Sequence, residues 1–288
     1  MTGTAPTSAP RPPAAAGTHY PATAARLRAD VQGFLDDAEA VTGREVQPRR
    51  ALGLVVPHAA FAVSGPTAGV GFASVEVPAT CIVLAPRHGT PAVAGSAAAV
   101  LLERPYSTPL GAVAVDRALG AAIVGEARGL VREDAVPHDG EYSVEVLLPF
   151  LQARNPDVRV VPIIVPFDDA DSVRRLASAI AAAIGERRAD VLVVASSNMT
   201  HGEPVKVAAD RDAVALDRIV ALDGPGLLAV AKRDGISMCA LGAVAVACEV
   251  SRARGGTDGE LVAYSHSGFA TGDVGRVVGY AAVLLGAS

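Results

Sequence analysis

The chain contains no tryptophan, and aromatic side chains make up only 4% of its 288 residues. Cysteine is also scarce, because Cys81, Cys239 and Cys248 are the only three. So few cysteines cannot form a disulfide framework in a chain of this length, so we expect a reducing, cytoplasmic setting. No apolar run approaches the roughly 18 residues needed to cross a bilayer. The first residues also lack the charged and apolar blocks of a signal peptide, so we expect no membrane partner.

A basic surface and several common catalytic motifs are missing as well. Lysine and arginine total 25 against 30 acidic residues, which gives a net charge of -5. There is no basic stripe with interleaved aromatics, which argues against a nucleic-acid partner. There is also no phosphate-cradling glycine loop, no serine-centred nucleophile elbow and no His-Glu-x-x-His pattern. These absences exclude nucleotide-dependent kinases, Rossmann oxidoreductases, ordinary α/β-hydrolases and zincin proteases.

Half of the residues are hydrophobic, and they fall into alternating strand and helix patterns. The patterns predict strands at 51–56, 81–85, 97–102, 158–165, 191–195, 261–266 and 276–285. They predict helices from about 21 and over 116–127, 141–151, 168–188, 212–222, 225–233 and 240–254, with a turn at 64–66 before a short helix ending near 72. Such alternation predicts an α/β fold in which a mostly parallel or mixed sheet is covered by helices on both faces.

The first segment differs in composition from the rest of the chain. Residues 1–17 are rich in proline, alanine, threonine and serine. Such a segment buries too little apolar surface to offset the entropy lost on ordering, so we expect a disordered tail. No linker interrupts the remainder, which predicts a single α/β domain over 18–288.

Two histidines and one cysteine are the strongest functional candidates. His58 and His88 each follow a buried strand, and functional residues of open α/β sheets collect beyond the carboxyl ends of the strands. Cys239 precedes a predicted helix, a position that favours the thiolate. If the three meet, they form a three-ligand metal site that keeps an open position. The alternative for each histidine is a loop residue bonded to backbone, and for the thiol a small buried hydrophobe.

The polar turn after the strand at 191–195 is a second candidate. It contains Ser196, Ser197 and Asn198 and ends in His201. A histidine there suits a general acid/base or a group that orients the substrate. The alternative is a histidine in a surface turn.

Two further segments contain polar and aromatic side chains that could reach the same pocket. Tyr142 and Glu145 lie close together in the chain with Glu141, and they either line the pocket or form a helix-capping pattern. His19 and Tyr20 precede the first predicted helix, and we expect them to fold over the site.

Seven segments, in chain order, together resemble the Memo family, which is similar in fold to the class III extradiol dioxygenases. They are residues 17–21, 56–59, 85–88, 106–111, 141–145 with 148–150, 196–202 and 236–242. The resemblance implies a three-layer αβα sandwich. It also implies a redox-active metal held by His58, His88 and Cys239, with iron(II) preferred and copper(I) or copper(II) as the alternative. Compared with the two histidines and carboxylate of the dioxygenases, a thiolate is a softer ligand that tolerates copper(I).

The chain departs from the family pattern at three places. Tyr142 stands where the family usually has Glu-His-Ser, Asn198 stands where it usually has an aspartate, and a histidine-rich turn is reduced to Arg87-His88-Gly89. We infer the same metal cage with an altered pocket. Arg87 is expected to bind a carboxylate or phosphate of the substrate, Tyr142 to donate a hydrogen bond to bound oxygen, and Tyr20 and Glu145 to contact the substrate.

These observations leave three functional hypotheses. The first is a non-haem metal-dependent oxidoreductase that uses iron and O₂ on a small polar or phenolic molecule, with His201 as acid/base and Tyr142 and Asn198 shaping the pocket. The second is a non-catalytic metal-binding or protein-interaction member of the family. The third is a metal-free hydrolase with Cys239 as nucleophile. A small-molecule substrate and O₂ are the expected partners, and a homo-oligomer is compatible with the sequence.

Overall fold

A mixed β-sheet runs through the part of the chain that the computed structural model describes, residues 9–88, 97–185 and 190–287. The strands are β1 (Gly53–Val56), β2 (Thr80–Ala85), β3 (Ala98–Val100), β4 (Tyr106–Thr108), β5 (Gly111–Val115), β6 (Val131–Glu133), β7 (Arg159–Ile164), β8 (Val191–Ser196), β9 (His201–Glu203), β10 (Gly259–His266) and β11 (Val277–Leu285). The helices are α1 (Ala24–Asp36), α2 (Ala38–Thr42), α3 (Phe61–Ala73), α4 (Arg117–Glu126), α5 (Leu148–Arg154), α6 (Ala170–Ile184), α7 (Val205–Val220), α8 (Gly224–Asp234), α9 (Leu241–Ala253) and α10 (Gly268–Thr271).

The centre of the sheet is parallel and its borders are antiparallel. The main strand order is β10-β11-β1-β8-β2-β7-β3-β6. Strand β8 pairs in parallel with both β1 and β2, and β2 pairs in parallel with β7. Strands β11 and β3 close this block by antiparallel pairing with β1 and β7. Central parallel strands are covered on both faces, which explains why β1, β2 and β8 are continuous apolar runs.

Helices cover both faces of the sheet. Val55 of β1 and Ile82 of β2 face one core, which includes residues of α4, α6, α7, α8 and α9. Their neighbours Leu54 and Val83 face a second core, which includes residues of α1, α3 and α5. The expected three-layer αβα sandwich is therefore confirmed. Within the described ranges, no helix combines the length and the apolar character needed to cross a bilayer.

Helix α3 replaces the turn that the sequence predicted at 64–66. The helix runs from Phe61 to Ala73 and has Pro66 inside it. A side chain at Gly65 or at Gly69 would collide with Phe34 of α1. These glycines therefore allow two helices to pack closely. The prediction of a turn was wrong because it took Gly65 as a residue that bends the backbone, whereas Gly65 makes room for Phe34.

Two helix starts also differ from the prediction. Helix α6 begins at Ala170, two residues after the predicted start, and is capped by Asp169, whose carboxylate accepts from the backbone N–H of Ser172 at 2.9 Å. The last predicted residues of this helix, 186–188, lie outside the described residues. The helix predicted over 141–151 begins only with a 3₁₀ turn at Glu145–Leu147, which leads into α5. The residues before that turn use their polar groups in tertiary contacts instead.

The disordered tail was predicted wrongly for the residues that the structure describes. Arg11 pairs with Tyr106 in an isolated β-bridge, and the side chains of Arg11 and Ala15 are buried. The backbone N–H groups of Ala14 and Ala15 donate to the buried carboxylate of Glu145 at 2.8 and 2.7 Å. Composition cannot reveal such pairing, because the partners lie more than a hundred residues away. A single domain stays our interpretation, with packed chain beginning before residue 18, whereas residues 1–8 lie outside the described ones.

A chain that begins at residue 18 should therefore be clearly less stable than the full chain. Removal of residues 1–17 takes away three of the four donors to the buried Glu145 carboxylate. An uncompensated buried charge costs about 3–5 kcal/mol. The free energy of unfolding from urea titrations measures the effect. Adding Glu145→Gln to the truncated chain should recover part of the loss, because a neutral amide is cheaper to bury. Equal unfolding midpoints for the full and the truncated chain would contradict this account of the N-terminal segment.

Candidate metal site

The sheet register brings three chain segments to one edge. Strand β8 lies between β1 and β2, and all three are parallel, with Val56 level with Ser196 and Leu84 level with Ala195. The segments that leave their carboxyl ends therefore emerge side by side. His58 follows β1 by two residues and His88 follows β2 by three.

The two imidazoles and the thiol converge at this edge, as the sequence predicted. One ligand atom each from His58, His88 and Cys239 lies within 4.8 Å of the others. His58 Nε2 is 3.4 Å from Cys239 Sγ. A metal at about 2.0–2.1 Å from nitrogen and about 2.3 Å from sulfur would hold these atoms about 3.1–3.6 Å apart for bond angles from 90° to tetrahedral. The His58–Cys239 pair therefore has the spacing of two ligands of one metal ion, and three protein ligands leave further coordination positions open.

Cys239 is held at the start of α9. A side chain at Gly242 would collide with the carbonyl oxygen of Phe167, so glycine allows the first turn of the helix to pack against the segment after β7. The backbone N–H of Asn198 donates to Cys239 Sγ at 3.2 Å. Burial would raise the pKa of the thiol, but His58, His88 and this N–H hold the pKa well below its usual value. The thiolate is the form that binds metal.

A hydrogen-bond chain fixes the orientation of the buried His58. The hydroxyl of Ser196 donates to the carbonyl oxygen of Ser143 at 2.7 Å. Its oxygen is therefore an acceptor for His58 Nδ1–H, at 2.8 Å. With the proton on Nδ1, the lone pair of Nε2 points toward Cys239. Outer-shell acceptors of this kind set the tautomer of metal-binding histidines.

His88 is oriented by a carboxylate. Glu141 accepts from the backbone N–H of His88 at 2.5 Å and from its Nδ1–H at 2.9 Å. It also accepts from the backbone N–H of Ser143 at 2.9 Å. Burial would raise the pKa of Glu141, but these bonds lower it to about 2. Burial would lower the pKa of His88, whereas Cys239 and Glu141 raise it to about 9.

Tyr142 and His19 form a stacked wall beside the site. The Tyr142 ring lies on the His88 ring with centroids 4.7 Å apart. The His19 ring packs against Tyr142, with a centroid distance of 4.3 Å, so His19 lies over the site as expected, whereas Tyr20 is buried against Glu145. Burial, together with Glu141 and Cys239, raises the pKa of Tyr142. The phenol therefore keeps its proton and remains a hydrogen-bond donor.

Arg87 and Cys239 line the same cleft. Its volume is about 190 Å³, and Val165, Phe167 and Asp168 form much of the remaining lining. Among the described residues, no hydrogen bond or ion pair engages the Arg87 guanidinium. A cation in this position can bind an anionic group in the cleft beside Cys239.

The residues of this chain match a known family over nearly their whole length. The model of the Memo-like protein family matches residues 11–284. The chain belongs to the Memo family. Similar relatives include MEMO1 family proteins of Methanopyrus kandleri, 35% identical over 95% of this chain and 98% of the relative, and of Methanothermobacter thermautotrophicus, 34% identical over 94% and 98%.

A solved structure shares the fold of this Memo-family chain. It is an uncharacterized protein of Escherichia coli K12, with a TM-score of 0.50 and 12% sequence identity. The alignment covers 82% of this chain and 100% of the other. At this identity the likeness supports the αβα architecture alone.

Asn198 contacts the thiol directly, whereas His201 contacts the loop that carries it. The side-chain oxygen of Asn198 accepts from the backbone N–H of His58 at 3.1 Å. Because its own backbone N–H donates to Cys239 Sγ, Asn198 connects His58 to Cys239. His201 lies outside the converging group. Its Nδ1 is 2.9 Å from the carbonyl oxygen of Ser237, and its backbone N–H donates to the hydroxyl of the same serine. His201 is therefore tied to the loop that carries Cys239, and its acid/base role stays a prediction.

Glu145 and Tyr20 have a structural task instead of the expected substrate contact. Glu145 is fully buried and accepts from Arg11, Ala14, Ala15 and the Tyr20 hydroxyl, the last at 2.6 Å. Four donors use all the acceptor positions of a carboxylate. In this Memo-family chain the pair holds the N-terminal segment in place, so neither polar group is free to bind a substrate.

Sequence reasoning placed Ser196 and Glu141 next to candidate residues but did not assign them to the orientation of His58 and His88, and it gave no role to Arg11. Ser196 ends β8 beside β1, so the parallel register gives it a detectable signal. Glu141 is next to Tyr142 in the chain, but nothing local marks it as the partner of His88. Arg11 lies in a segment rich in proline and alanine and has no local signal, because its partners are near residue 140.

His138, three residues before Glu141, is buried and remains neutral. The Tyr106 hydroxyl lies 2.8 Å from His138 Nδ1, and Nε2 lies 3.1 Å from the carbonyl oxygen of Ala99. The carbonyl can only accept, so Nε2 carries the proton and Nδ1 accepts from the tyrosine. Burial lowers the pKa of His138 to about 4.

Acid should therefore destabilise the protein through His138. Its pKa is lowered in the folded state, so the unfolded chain binds the proton first, and stability falls as pH drops from about 6.5 to about 4. A shift of this size corresponds to about 3 kcal/mol. In His138→Gln, the side-chain amide can form hydrogen bonds with the Tyr106 hydroxyl and the Ala99 carbonyl oxygen, but it does not bind a proton in this pH range. The free energy of unfolding should then fall less than in the parent between pH of about 7 and 4.5. The same pH dependence in both proteins would show that His138 does not contribute.

Proposed function

We propose that this chain is a metal-dependent oxidoreductase that uses a non-haem iron ion, with copper as the alternative, and O₂ on a small polar or phenolic molecule. The observation that carries the proposal is the convergence of His58, His88 and Cys239 within 4.8 Å. Three protein ligands leave positions for substrate and O₂, as a catalytic site requires.

The surrounding residues have separate roles in this proposal. Bound iron supplies the electron transfer that lets O₂ react with an organic substrate. Arg87 binds an anionic group of the substrate in the cleft beside Cys239. The Tyr142 hydroxyl donates a hydrogen bond to an oxygen atom at the open side, and Asn198 keeps His58 and Cys239 in register. His201 handles a proton at the loop that carries Cys239.

A metal-free hydrolase is the second candidate, and one contact favours it. Cys239 Sγ lies 3.4 Å from His58 Nε2, and Ser196 orients the other nitrogen of the ring. A thiol beside a base that a third group orients is the arrangement of a nucleophilic cysteine.

Metal analysis separates the two candidates. Protein purified without oxygen should contain iron or bind Fe²⁺, and binding should raise the melting temperature because the folded state alone holds the ion. The gain is about 2.7 kcal/mol when free metal is 100 times the dissociation constant. Cys239→Ala should weaken binding by more than about 100-fold, since loss of an outer-shell partner alone costs about 10–100-fold. Cys248→Ala, at a buried cysteine outside the site, is the matched control.

The outcomes of the metal analysis and of O₂-consumption assays distinguish the functions. Failure of iron and copper to bind or to raise the melting temperature rejects the metal proposal and favours the hydrolase. Metal binding without O₂ consumption on any compound of a catechol-like and amino-acid-derived screen favours a non-catalytic, metal-binding role.

Arg87 should determine which compounds of that screen react. Substrates with a carboxylate or phosphate should be preferred, and Arg87→Met should raise their KM by about 10–100-fold, because a hydrogen bond to a charged group contributes about 1.5–3 kcal/mol. Steady-state O₂ uptake measures the change. The neutral methyl ester of the same compound is the control and should react equally with both proteins. An unchanged KM for the acid would remove Arg87 from the substrate site.

A further inference from the structure

The guanidinium of Arg11 is buried and bonds to three points of one short segment. Nη1 donates to the carboxylate of Glu145 at 2.6 Å, Nε to the carbonyl oxygen of His138 at 2.7 Å and Nη2 to that of Glu141 at 2.6 Å. Its charged carbon also lies 4.6 Å from the centre of the Tyr106 ring. A planar guanidinium can hold several acceptors at fixed angles, which a lysine cannot do.

The segment between these three points carries the groups that hold His88. The Glu141 carboxylate bonds to His88 at two atoms, and the Tyr142 ring stacks on the imidazole. The backbone in this segment is irregular up to the 3₁₀ turn that begins at Glu145. Repeating helix or strand bonds therefore do not fix residues 139–144, and their position depends on side-chain contacts.

We propose that Arg11 is a positioning residue of the metal site. By binding the backbone carbonyls of His138 and Glu141 and the side chain of Glu145, it keeps His88 oriented for metal binding although it contacts no ligand itself. The inference rests on the metal binding proposed above. Its rival is that the apolar side chains of Val144, Val146 and Leu147, which are all buried, are enough to fix the segment.

Cobalt(II) binding to the full-length chain tests the proposal. The ion reports on thiolate and imidazole ligation by absorption, and chelator competition gives its dissociation constant. Arg11→Lys and Arg11→Met should each weaken Co²⁺ binding by about 10-fold, which is the low end of the range for outer-shell changes. Both variants should also alter the ligand-field absorption bands, while the thiolate-to-cobalt charge-transfer band persists. Arg11→Lys keeps a positive charge beside Glu145, so it serves as the test if Arg11→Met fails to fold.

Arg254 offers a matched control. Its guanidinium is also buried and donates to the carbonyl oxygens of Leu52 and Val191 at 3.0 and 2.8 Å. These atoms lie at the amino ends of β1 and β8, opposite to the site. Arg254→Met should therefore lower the melting temperature without changing the cobalt dissociation constant or the spectrum.

The His88→Ala background shows whether Arg11 acts through His88. If it does, adding Arg11→Lys to His88→Ala should weaken cobalt binding by less than about twofold, since coupled residues are not additive. The same 10-fold loss in both backgrounds, or parent-like binding and spectra in both Arg11 variants, would overturn the inference and leave the metal site intact. A parent protein that binds no cobalt and no iron would overturn the proposed function, and this inference with it.

Discussion

The backbone of Ser143 connects the groups that orient both imidazoles. Its carbonyl oxygen accepts from Ser196, which fixes the tautomer of His58, and its N–H donates to Glu141, which holds His88. Two histidines from different strands thus depend on one residue that belongs to neither strand. Because buried polar groups are costly to leave unpaired, a displacement at this point would disturb both rings together.

This dependence explains why residues 141–144 are not helical, although the sequence predicts a helix over 141–151. A helical Glu141 would direct its carboxylate along the helix surface, and the Ser143 carbonyl would be used within the helix. In the structure these groups bond to His88 and Ser196 instead. Local propensity is worth tenths of a kcal/mol per residue, whereas each buried polar group left without a partner costs about 1–3 kcal/mol. Tertiary bonding therefore determines the backbone here.

Features that depend on local sequence could be predicted, whereas features that depend on tertiary bonding could not. Strand and helix periods are local, and so are the positions of His58 and His88 just beyond two buried strands. These features predicted the architecture and the convergence that the structure confirms. The contact between Arg11 and Glu145 joins residues 134 positions apart, and no period or composition encodes it. For residues 9–17 composition even gave the wrong answer, because Arg11 and the N–H groups of Ala14 and Ala15 find a buried partner in Glu145.

The surroundings of Cys239 favour a metal ligand over a nucleophile. A nucleophilic thiol needs one base, and His58 would suffice. Here a second imidazole joins the group, and Glu141 holds it by Nδ1, as outer-shell carboxylates hold metal-binding histidines. Cys239 and Glu141 raise the pKa of His88 to about 9, so the imidazole carries a proton at neutral pH. A metal ion held by His88 and Cys239 would favour the neutral imidazole and the thiolate, because ligands bind in their deprotonated forms. Two imidazoles, each oriented at Nδ1, give a metal three ligands together with Cys239, whereas a nucleophilic thiol needs only one of them.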